Sequence, residues 1–419
     1  MSTPTKKIAL TEDWTVVVLG FAIILFALAG FLLPTPSFGW KNTTDLFEKV
    51  LAIGNLQKIL IQLLAVMIVA VAGALLMRKP VKPFVTGLPV VYLLTILALI
   101  IAGNGTVKSL NLEAVIFSLL IGLLIGNTMQ LPEWLKNALS TEVFVKIGLV
   151  ILGTSVLFSD ILEAGSLGMI QALLVVVSVW YFAFWVSRKM GIDEEMGVML
   201  SSAVSICGVS AAIATSGAIK GDSKKLSYVI SLVLITAIPM MLFMPYVAKL
   251  LGLSQEVTGA WLGGTIDTTG AVIASGTMVG EAAVKVSTIV KFAQNVLLGV
   301  AAFGISVYWT YTNNPLAKDT NTKPSLGVIW ERFPKFVLGF VAASLLFSFV
   351  VSPETVKGVK DNLKSIQGLW FALAFTSIGL ETNFSDLFNK DSKKPLYAFL
   401  LAQTFNIFIT LIIAYLLFR

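Results

Sequence analysis

The chain has 419 residues, of which 57% are hydrophobic and only 13% are charged. A soluble domain carries about 25% charged residues, so this chain has too little polar surface to cover itself in water. The composition therefore predicts a polytopic membrane protein and excludes a soluble one. The formal net charge of +7 comes from lysines in short loops between apolar segments. That is the bias of cytoplasmic loops, so we predict no nucleic-acid partner.

Two residue types that support chemistry are scarce. Histidine is absent, which removes the commonest metal ligand and the usual proton shuttle near neutral pH. The one cysteine, Cys207, cannot form an internal disulfide, and no histidine is present to activate it as a nucleophile. No Walker A motif occurs either. We therefore predict that the protein is not an enzyme and that it has no cofactor and no metal centre of its own.

Eleven apolar segments are candidate membrane spans, because a helix needs about 20 apolar residues to cross the hydrocarbon core. No stretch of the chain has the composition of a separate soluble domain. We therefore predict an all-α fold with a single transmembrane transporter domain over residues 1–419. The predicted spans are residues 14–33, 57–77, 84–103, 111–127, 143–159, 168–187, 226–250, 284–311, 335–351, 366–384 and 395–418.

Two further stretches of membrane length, residues 193–221 and 256–280, have centres unlike those of spanning helices. The first reads Ser205-Ile206-Cys207-Gly208-Val209-Ser210 at its middle, which is small and polar. The second reads Gly263-Gly264-Thr265-Ile266-Asp267-Thr268-Thr269-Gly270. When one is laid on the other, Ser216-Gly217 falls on Ser275-Gly276. We interpret the two stretches as interrupted helical elements of an inverted repeat.

The distribution of positive charge indicates that neither element crosses the membrane. With the N-terminus inside, a crossing by residues 193–221 would place Lys220, Lys224 and Lys225 outside, against the positive-inside bias. If the element dips into the membrane and returns, these lysines stay inside. The second element then dips in from the outside. We predict two re-entrant hairpins, one from each face, with a broken helix that crosses as the alternative.

The centres of both elements are the predicted solute site. Lipid cannot satisfy irregular backbone, so such backbone at membrane depth is tolerated only where protein buries it or where it lines a wet cavity. A half-helix that begins there offers free N–H groups and a partial positive charge, which suits an anion. Close packing of small residues between helices is the alternative. The predicted substrate-binding residues are Ser205, Cys207, Gly208, Ser210, Gly263, Gly264, Thr265, Thr268, Thr269 and Lys291.

Three residues are predicted to couple an ion, namely Asp267, Glu381 and Asn383. An acid in apolar surroundings is costly and therefore indicates function. Asp267 could bind Na⁺, carry H⁺ or pair with a lysine such as Lys291. The alternatives are a structural ion pair for Asp267, capping for Glu381, and snorkelling of Lys291 to the headgroups.

Four stretches together carry a resemblance to known proteins: Lys146–Gly153, Ser205–Ala212, Gly263–Ile266 and Thr288–Lys291. In these the chain resembles the YeiH-type bacterial inner-membrane proteins, for which sulfate export has been suggested. That family is similar in turn to the cation/proton antiporters and bile-acid-type symporters. The resemblance implies the scaffold of a transporter. Where the family carries a His-Glu pair, this chain has Asp267-Thr268, so histidine-linked proton coupling is not implied.

These observations predict a secondary active transporter of the bacterial inner membrane with inverted-repeat architecture. The expected partners are the lipid bilayer, a small anion such as sulfate, carboxylate or sulfonate, and a second copy in a homodimer. The coupling ion would be H⁺ or Na⁺ at Asp267. The alternatives are a cation/proton antiporter with Asp267 as the exchange site, a channel, or a membrane subunit that does not transport.

Overall fold

The structure is a computed structural model that describes residues 10–109, 114–156, 158–219, 221–313, 330, 334–382 and 393–419. Within these ranges the chain is helical and contains no strand. Eight helices in these ranges are long and apolar enough to cross a membrane. The predicted all-α polytopic fold is therefore confirmed.

The longer helices are numbered here in chain order. The helices are α1 Glu12–Leu28, α2 Ile53–Leu76, α3 Lys82–Ala102, α4 Ala114–Thr128, α5 Thr141–Leu152, α6 Phe158–Lys189, α7 Glu194–Ser202, α8 Val209–Ile219, α9 Ser223–Leu250, α10 Gln255–Thr265, α11 Thr269–Val279, α12 Glu281–Asn313, α13 Lys335–Leu345, α14 Pro353–Glu381 and α15 Lys394–Phe418. The predicted spans 14–33, 111–127 and 335–351 correspond to the shorter helices α1, α4 and α13.

The chain divides into two compact units. Unit 1 comprises Met1–Phe158 and Lys335–Asn383, and unit 2 comprises Ser159–Pro334 and Phe384–Arg419. Both units contain helices of membrane-spanning length. The prediction of one transporter domain over residues 1–419 stays a prediction.

Unit 1 is held together by close helix packing and by a partly buried cation. Helices α4 and α14 approach so closely that a Cβ on Gly122 would lie 2.8 Å from Gly379 Cα, a distance that only glycine permits. Lys146 on α5 lies 2.8 Å from a carboxylate oxygen of Glu12 and 3.1 Å from one of Asp13, both at the start of α1. Lys146 thereby connects α1 to α5.

Residues 193–221 form the first hairpin, in unit 2. A π-helical turn, Ala203–Cys207, ends the first arm, and Gly208 at φ 57° turns the chain into the second. Such a positive φ favours glycine because it has no Cβ. At the open end, a carboxylate oxygen of Glu195 accepts a hydrogen bond from the amide of Asp222. The start and the end of the element therefore lie together, so it returns rather than crosses.

Residues 256–280 form the second hairpin. Its first arm ends in an extended residue, Ile266, and Thr268 caps its second arm by accepting from the amide of Ala271. At the open end Gly280 lies directly against the side chain of Gln255, where a Cβ would overlap the Gln255 amide. This element also returns to the side from which it entered.

The two hairpins belong to an inverted repeat within unit 2. Helix α6 precedes the first hairpin and α9 precedes the second. Because the first hairpin returns, the chain re-enters the membrane from the same side, and α6 and α9 cross it in opposite directions. The pairs α6–hairpin 1 and α9–hairpin 2 therefore repeat the same order of elements with opposite orientation, which accounts for the similarity between the two interrupted stretches.

A lysine closes the open end of hairpin 1. Lys225 Nζ lies 2.7 Å from Asp193 Oδ1 and 2.7 Å from Glu195 Oε2. These hydrogen bonds, the one to Asp193 first, raise the pKa of Lys225 above its ordinary value of 10.5. The stabilisation is therefore fully present below pH 10.5 and is lost as the pH rises through the folded-state pKa.

Replacing this lysine is expected to loosen the hairpin base. Lys225→Gln should lower stability by about 1 kcal/mol or less, because the ion pairs are partly exposed. It should also speed hydrogen exchange at the Asp222 amide, measured by mass spectrometry. Lys249→Gln, at the other end of α9, is the control. Equal exchange in both variants would mean that the Lys225 pairs do not hold the base.

Candidate functional site

The tips of the two hairpins meet inside unit 2. A Cβ on Gly208 would lie 3.1 Å from Asp267 Cβ and 3.3 Å from Asp267 O, which is closer than ordinary van der Waals contact. Gly208 is the turn of hairpin 1, and Asp267 lies in the break of hairpin 2. The two interruptions predicted from the sequence are therefore in direct contact.

Asp267 is buried and without a hydrogen-bond partner. Its side chain is 1% exposed, and neither carboxylate oxygen accepts a hydrogen bond from any described residue. Gln403 on α15 lies beside the carboxylate. However, its two amide hydrogens go to Thr265 O at 3.1 Å and to Met240 Sδ at 3.1 Å. A buried acid without a partner is costly to the fold, so this arrangement indicates a function.

Lys291 on α12 is the buried cation of the site. It is 1% exposed, and its ammonium donates to Ile206 O at 2.8 Å and to Gln294 Oε1 at 3.0 Å. It acts electrostatically on Asp267 and on Cys207. Among the described residues, no ion pair within 4.0 Å includes Lys291, so the two charges are near each other without being in contact. Burial excludes the alternative that Lys291 snorkels to the headgroups.

Side-chain amides satisfy the carbonyl groups at the end of α10. They come from three helices of unit 2, namely α6, α12 and α15. Because these donors use the carbonyl oxygens, the negative end of this half-helix is neutralised and its irregular backbone is tolerated in the membrane. The bonds run from Gln171 to Ala260 O (2.7 Å), from Gln294 to Gly264 O (2.8 Å), and from Gln403 and Asn406 to Thr265 O (3.1 and 3.2 Å).

The positive ends of two half-helices begin at the same point. Helix α8 starts at Val209, directly after Gly208, and α11 starts at Thr269, two residues after Asp267, with Thr268 as its N-cap. The first amides of a helix have no acceptor within that helix, and the helix N-terminus carries a partial positive charge. The site therefore combines two positive helix ends and the ammonium of Lys291 with the single carboxylate of Asp267.

The structure brings most of the predicted residues to this contact, but several already have another role. Gly263 lets α10 pack on α12, since a Cβ there would lie 2.5 Å from Ser287 O, and Gly264 faces the Gln171 amide. The hydroxyl of Ser205 donates to Ser201 O at 2.7 Å. These contacts are consistent with close packing, the alternative stated from the sequence, and the roles of both glycines in solute binding stay predictions. The remaining roles in solute binding stay predictions.

The other two predicted ion-coupling residues are Glu381 and Asn383. Glu381 is in unit 1 at the end of α14, where it is exposed and accepts a hydrogen bond from Thr141 Oγ1 at 2.9 Å. Asn383 lies outside the described residues. Among the residues predicted to couple an ion, Asp267 is thus the one that the described structure places at the hairpin tips.

Five amide residues of the site, including Gln403 and Asn406, are not among the site residues predicted from the sequence. Gln171 and Gln294 cap the end of α10, and Asn295 donates to Thr269 Oγ1 at 3.4 Å. Each lies within an otherwise apolar helix. The available signal was a side-chain amide in an apolar run, which by itself indicates hydrogen bonding between helices and no particular site.

These features define an all-α, multi-pass membrane protein with two re-entrant hairpins that meet at a buried acid. The chain belongs to the family described as "Conserved hypothetical protein 698", whose model matches residues 86–398. The resemblance to YeiH-type proteins is thereby confirmed. The wider similarity to antiporters and symporters stays a prediction.

The relatives that the chain matches are known as membrane proteins. A UPF0324 membrane protein of Rhodopirellula baltica is 41% identical over 81% of this chain and 64% of its own length. One of Nitratidesulfovibrio vulgaris is 39% identical over 83% of this chain and 61% of its own length. The chain thus spans less than two thirds of the length of these two relatives. One of Nitrosomonas europaea is 28% identical over 93% of this chain and 92% of its own length. No solved structure matches the chain.

Proposed function

We propose that the protein is a secondary active transporter that moves a small anion, such as sulfate, a carboxylate or a sulfonate, together with a cation. The observation that carries the proposal is the contact of Gly208 with Asp267, which places a buried acid where two half-helices begin. The anion would bind at these helix ends and near Lys291. The cation would bind at Asp267.

The coupling follows from the charges at the tips. An ionised Asp267 repels an anion at the same helix ends, and burial strengthens the repulsion because the effective dielectric constant is low. A cation bound to Asp267 removes the repulsion. Binding of the cation and binding of the anion therefore favour each other, and by linkage the effect is reciprocal. Movement of the hairpins would then expose the shared site to either side in turn.

A second candidate is a cation/proton antiporter in which Asp267 exchanges the two cations and no anion binds. The observation in its favour is that Asp267 itself is the one acid placed at the tips among the described residues, with no hydrogen bond to fix its charge state. Both candidates use Asp267. In the anion transporter, anion binding remains when the charge of Asp267 is removed, whereas in the antiporter no anion binds and cation exchange is lost.

The test is Asp267→Asn in proteoliposomes with radioactive sulfate and small carboxylates. The neutral amide resembles the neutralised acid. We expect the anion to bind still, and to raise the melting temperature of the purified protein. Accumulation driven by a pH or Na⁺ gradient should fall at least tenfold.

Glu256→Gln is the matched control, because it neutralises an exposed acid at the base of the same hairpin. It should transport as the unsubstituted protein does. If Asp267→Asn abolished all cation exchange and neither protein bound any anion, the antiporter would be the correct function and the proposal would be wrong.

A further inference from the structure

Five buried oxygen atoms around the tip of hairpin 2 accept no hydrogen bond from any described residue. They belong to four residues that come from the hairpin itself, from α12 and from α15. Each of the four residues is less than 9% exposed. The atoms are Thr265 Oγ1, both carboxylate oxygens of Asp267, Asn295 Oδ1 and Gln403 Oε1.

The neighbours of Gln403 fix which end of its amide points to an acceptor, because Thr265 O is a carbonyl oxygen that can only accept. Gln403 donates its amide hydrogens to Thr265 O and to Met240 Sδ, and Asn295 donates to Thr269 Oγ1. If the Gln403 amide were turned over, its oxygen would face the oxygen of Thr265. The Gln403 oxygen without a donor is therefore a consequence of the hydrogen-bond network.

The four residues are neighbours along the hairpin break. Gln403 is hydrogen bonded to the backbone of Thr265 on one side of Asp267, and Asn295 is bonded to Thr269 on the other. Gln403 also lies beside the carboxylate. The break of hairpin 2 thus has oxygen acceptors on both sides of its acid.

The number of these oxygens distinguishes between a proton and a metal cation as the ion bound at Asp267. A proton on Asp267 makes one hydrogen bond, so at least two of the four oxygens of Thr265, Asp267 and Gln403 would still lack a donor. A hard metal cation is bound by several oxygens at once, from carboxylate, amide and hydroxyl groups. Leaving buried acceptors unsatisfied costs roughly 1–3 kcal/mol each, which favours the ion that satisfies more of them.

We infer that the coupling cation is Na⁺, bound by Asp267 with Thr265, Asn295 and Gln403. This inference rests on the proposed function and names the ion for the same site. A monovalent ion matches the single carboxylate. The charged or titratable groups that act on Asp267 and on its neighbour Lys291 are those two residues and the Cys207 thiol. The positive charge of Lys291 opposes a second cation. Its ammonium is hydrogen bonded to Ile206 O and Gln294 Oε1 and forms no ion pair with Asp267.

The experiment measures the melting temperature of the purified full chain in increasing NaCl, with choline chloride keeping the ionic strength constant. We expect a saturable rise with Na⁺, as for any ligand that binds the folded state. Thr265→Val removes one oxygen at nearly constant shape and should weaken Na⁺ binding about tenfold. Asp267→Asn should abolish it. Thr15→Val, which removes a buried hydroxyl without a partner from α1 in unit 1, should leave it unchanged.

An independent measurement is the binding of radioactive Na⁺ to the same variants. If Thr265→Val does not fold, Gln403→Leu replaces it. If Na⁺ raised the melting temperature of Asp267→Asn as much as that of the unsubstituted protein, the inference would be overturned, because Na⁺ would then act at another site. If anion binding responds to pH and not to Na⁺, the Na⁺ assignment is wrong while the proposed transport stands. If no anion binds under any condition, both are wrong.

Discussion

Gly208→Ala is expected to produce a large loss of stability together with loss of transport. At φ 57° an alanine is strained, which costs of the order of 1–2 kcal/mol. In addition, its Cβ would lie 2.6 Å from Val233 Cγ1 and 3.1 Å from Asp267 Cβ, so these neighbours must move. Such overpacking typically costs a further 1–3 kcal/mol. Moving Asp267 away from the helix ends should also abolish anion flux in proteoliposomes.

Gly191→Ala is the matched control for this substitution. Gly191 also has a positive φ, 68°, but a Cβ there would meet nothing within 4 Å. The difference between the melting temperatures of the two variants therefore gives the cost of the close contacts that an alanine at position 208 makes with Val233 and Asp267. If both variants melted at the same temperature and transported equally, the close approach of Gly208 to Asp267 would have no functional role.

Lys291→Met is expected to destabilise unit 2 by roughly 3 kcal/mol and to stop anion binding. The substitution leaves Ile206 O and Gln294 Oε1 without their donor and removes the cation nearest to the buried Asp267. Lys285→Met, at a half-buried lysine of the same helix, is the control, and should cost less than about 1 kcal/mol. Thermal unfolding and anion binding by the purified variants provide the measurement.

The double variant Lys291→Met/Asp267→Asn tests whether the two charges act on each other. Removing both should recover about 1–3 kcal/mol relative to the sum of the single substitutions, because neither charge is left buried alone. Transport should stay absent. Strictly additive effects would show that Lys291 and Asp267 are independent, and would remove the basis for a shared site.

The sequence was sufficient to predict the helical fold and the two interrupted elements, because these depend on local composition. Gly208 and Asp267 stand out in apolar stretches, and the lysines around residue 225 favoured a hairpin that returns. Helix-long apolar runs gave the spans in the same way. These signals are local, and a single chain is enough to detect them.

The site beyond Asp267 depends on contacts between distant parts of the chain. Gln171, Gln294 and Asn295 have no neighbouring motif, and their role exists only once α6 and α12 pack against hairpin 2. The sequence predicts solute binding by the two glycines near the end of α10, and it does not show that they also lie against α12 and the Gln171 side chain. A glycine permits close approach of the backbone, but the sequence alone does not show whether the neighbour is a solute or another helix.

The donors to Thr265 O have a consequence for how the protein is made. Gln403 follows Thr265 by 138 positions, so the ribosome has finished hairpin 2 long before it synthesises α15. Until that last helix is inserted, the nascent hairpin lacks two of its amide donors at the tip. Assembly of unit 2 is therefore completed only after α15 has been synthesised and inserted.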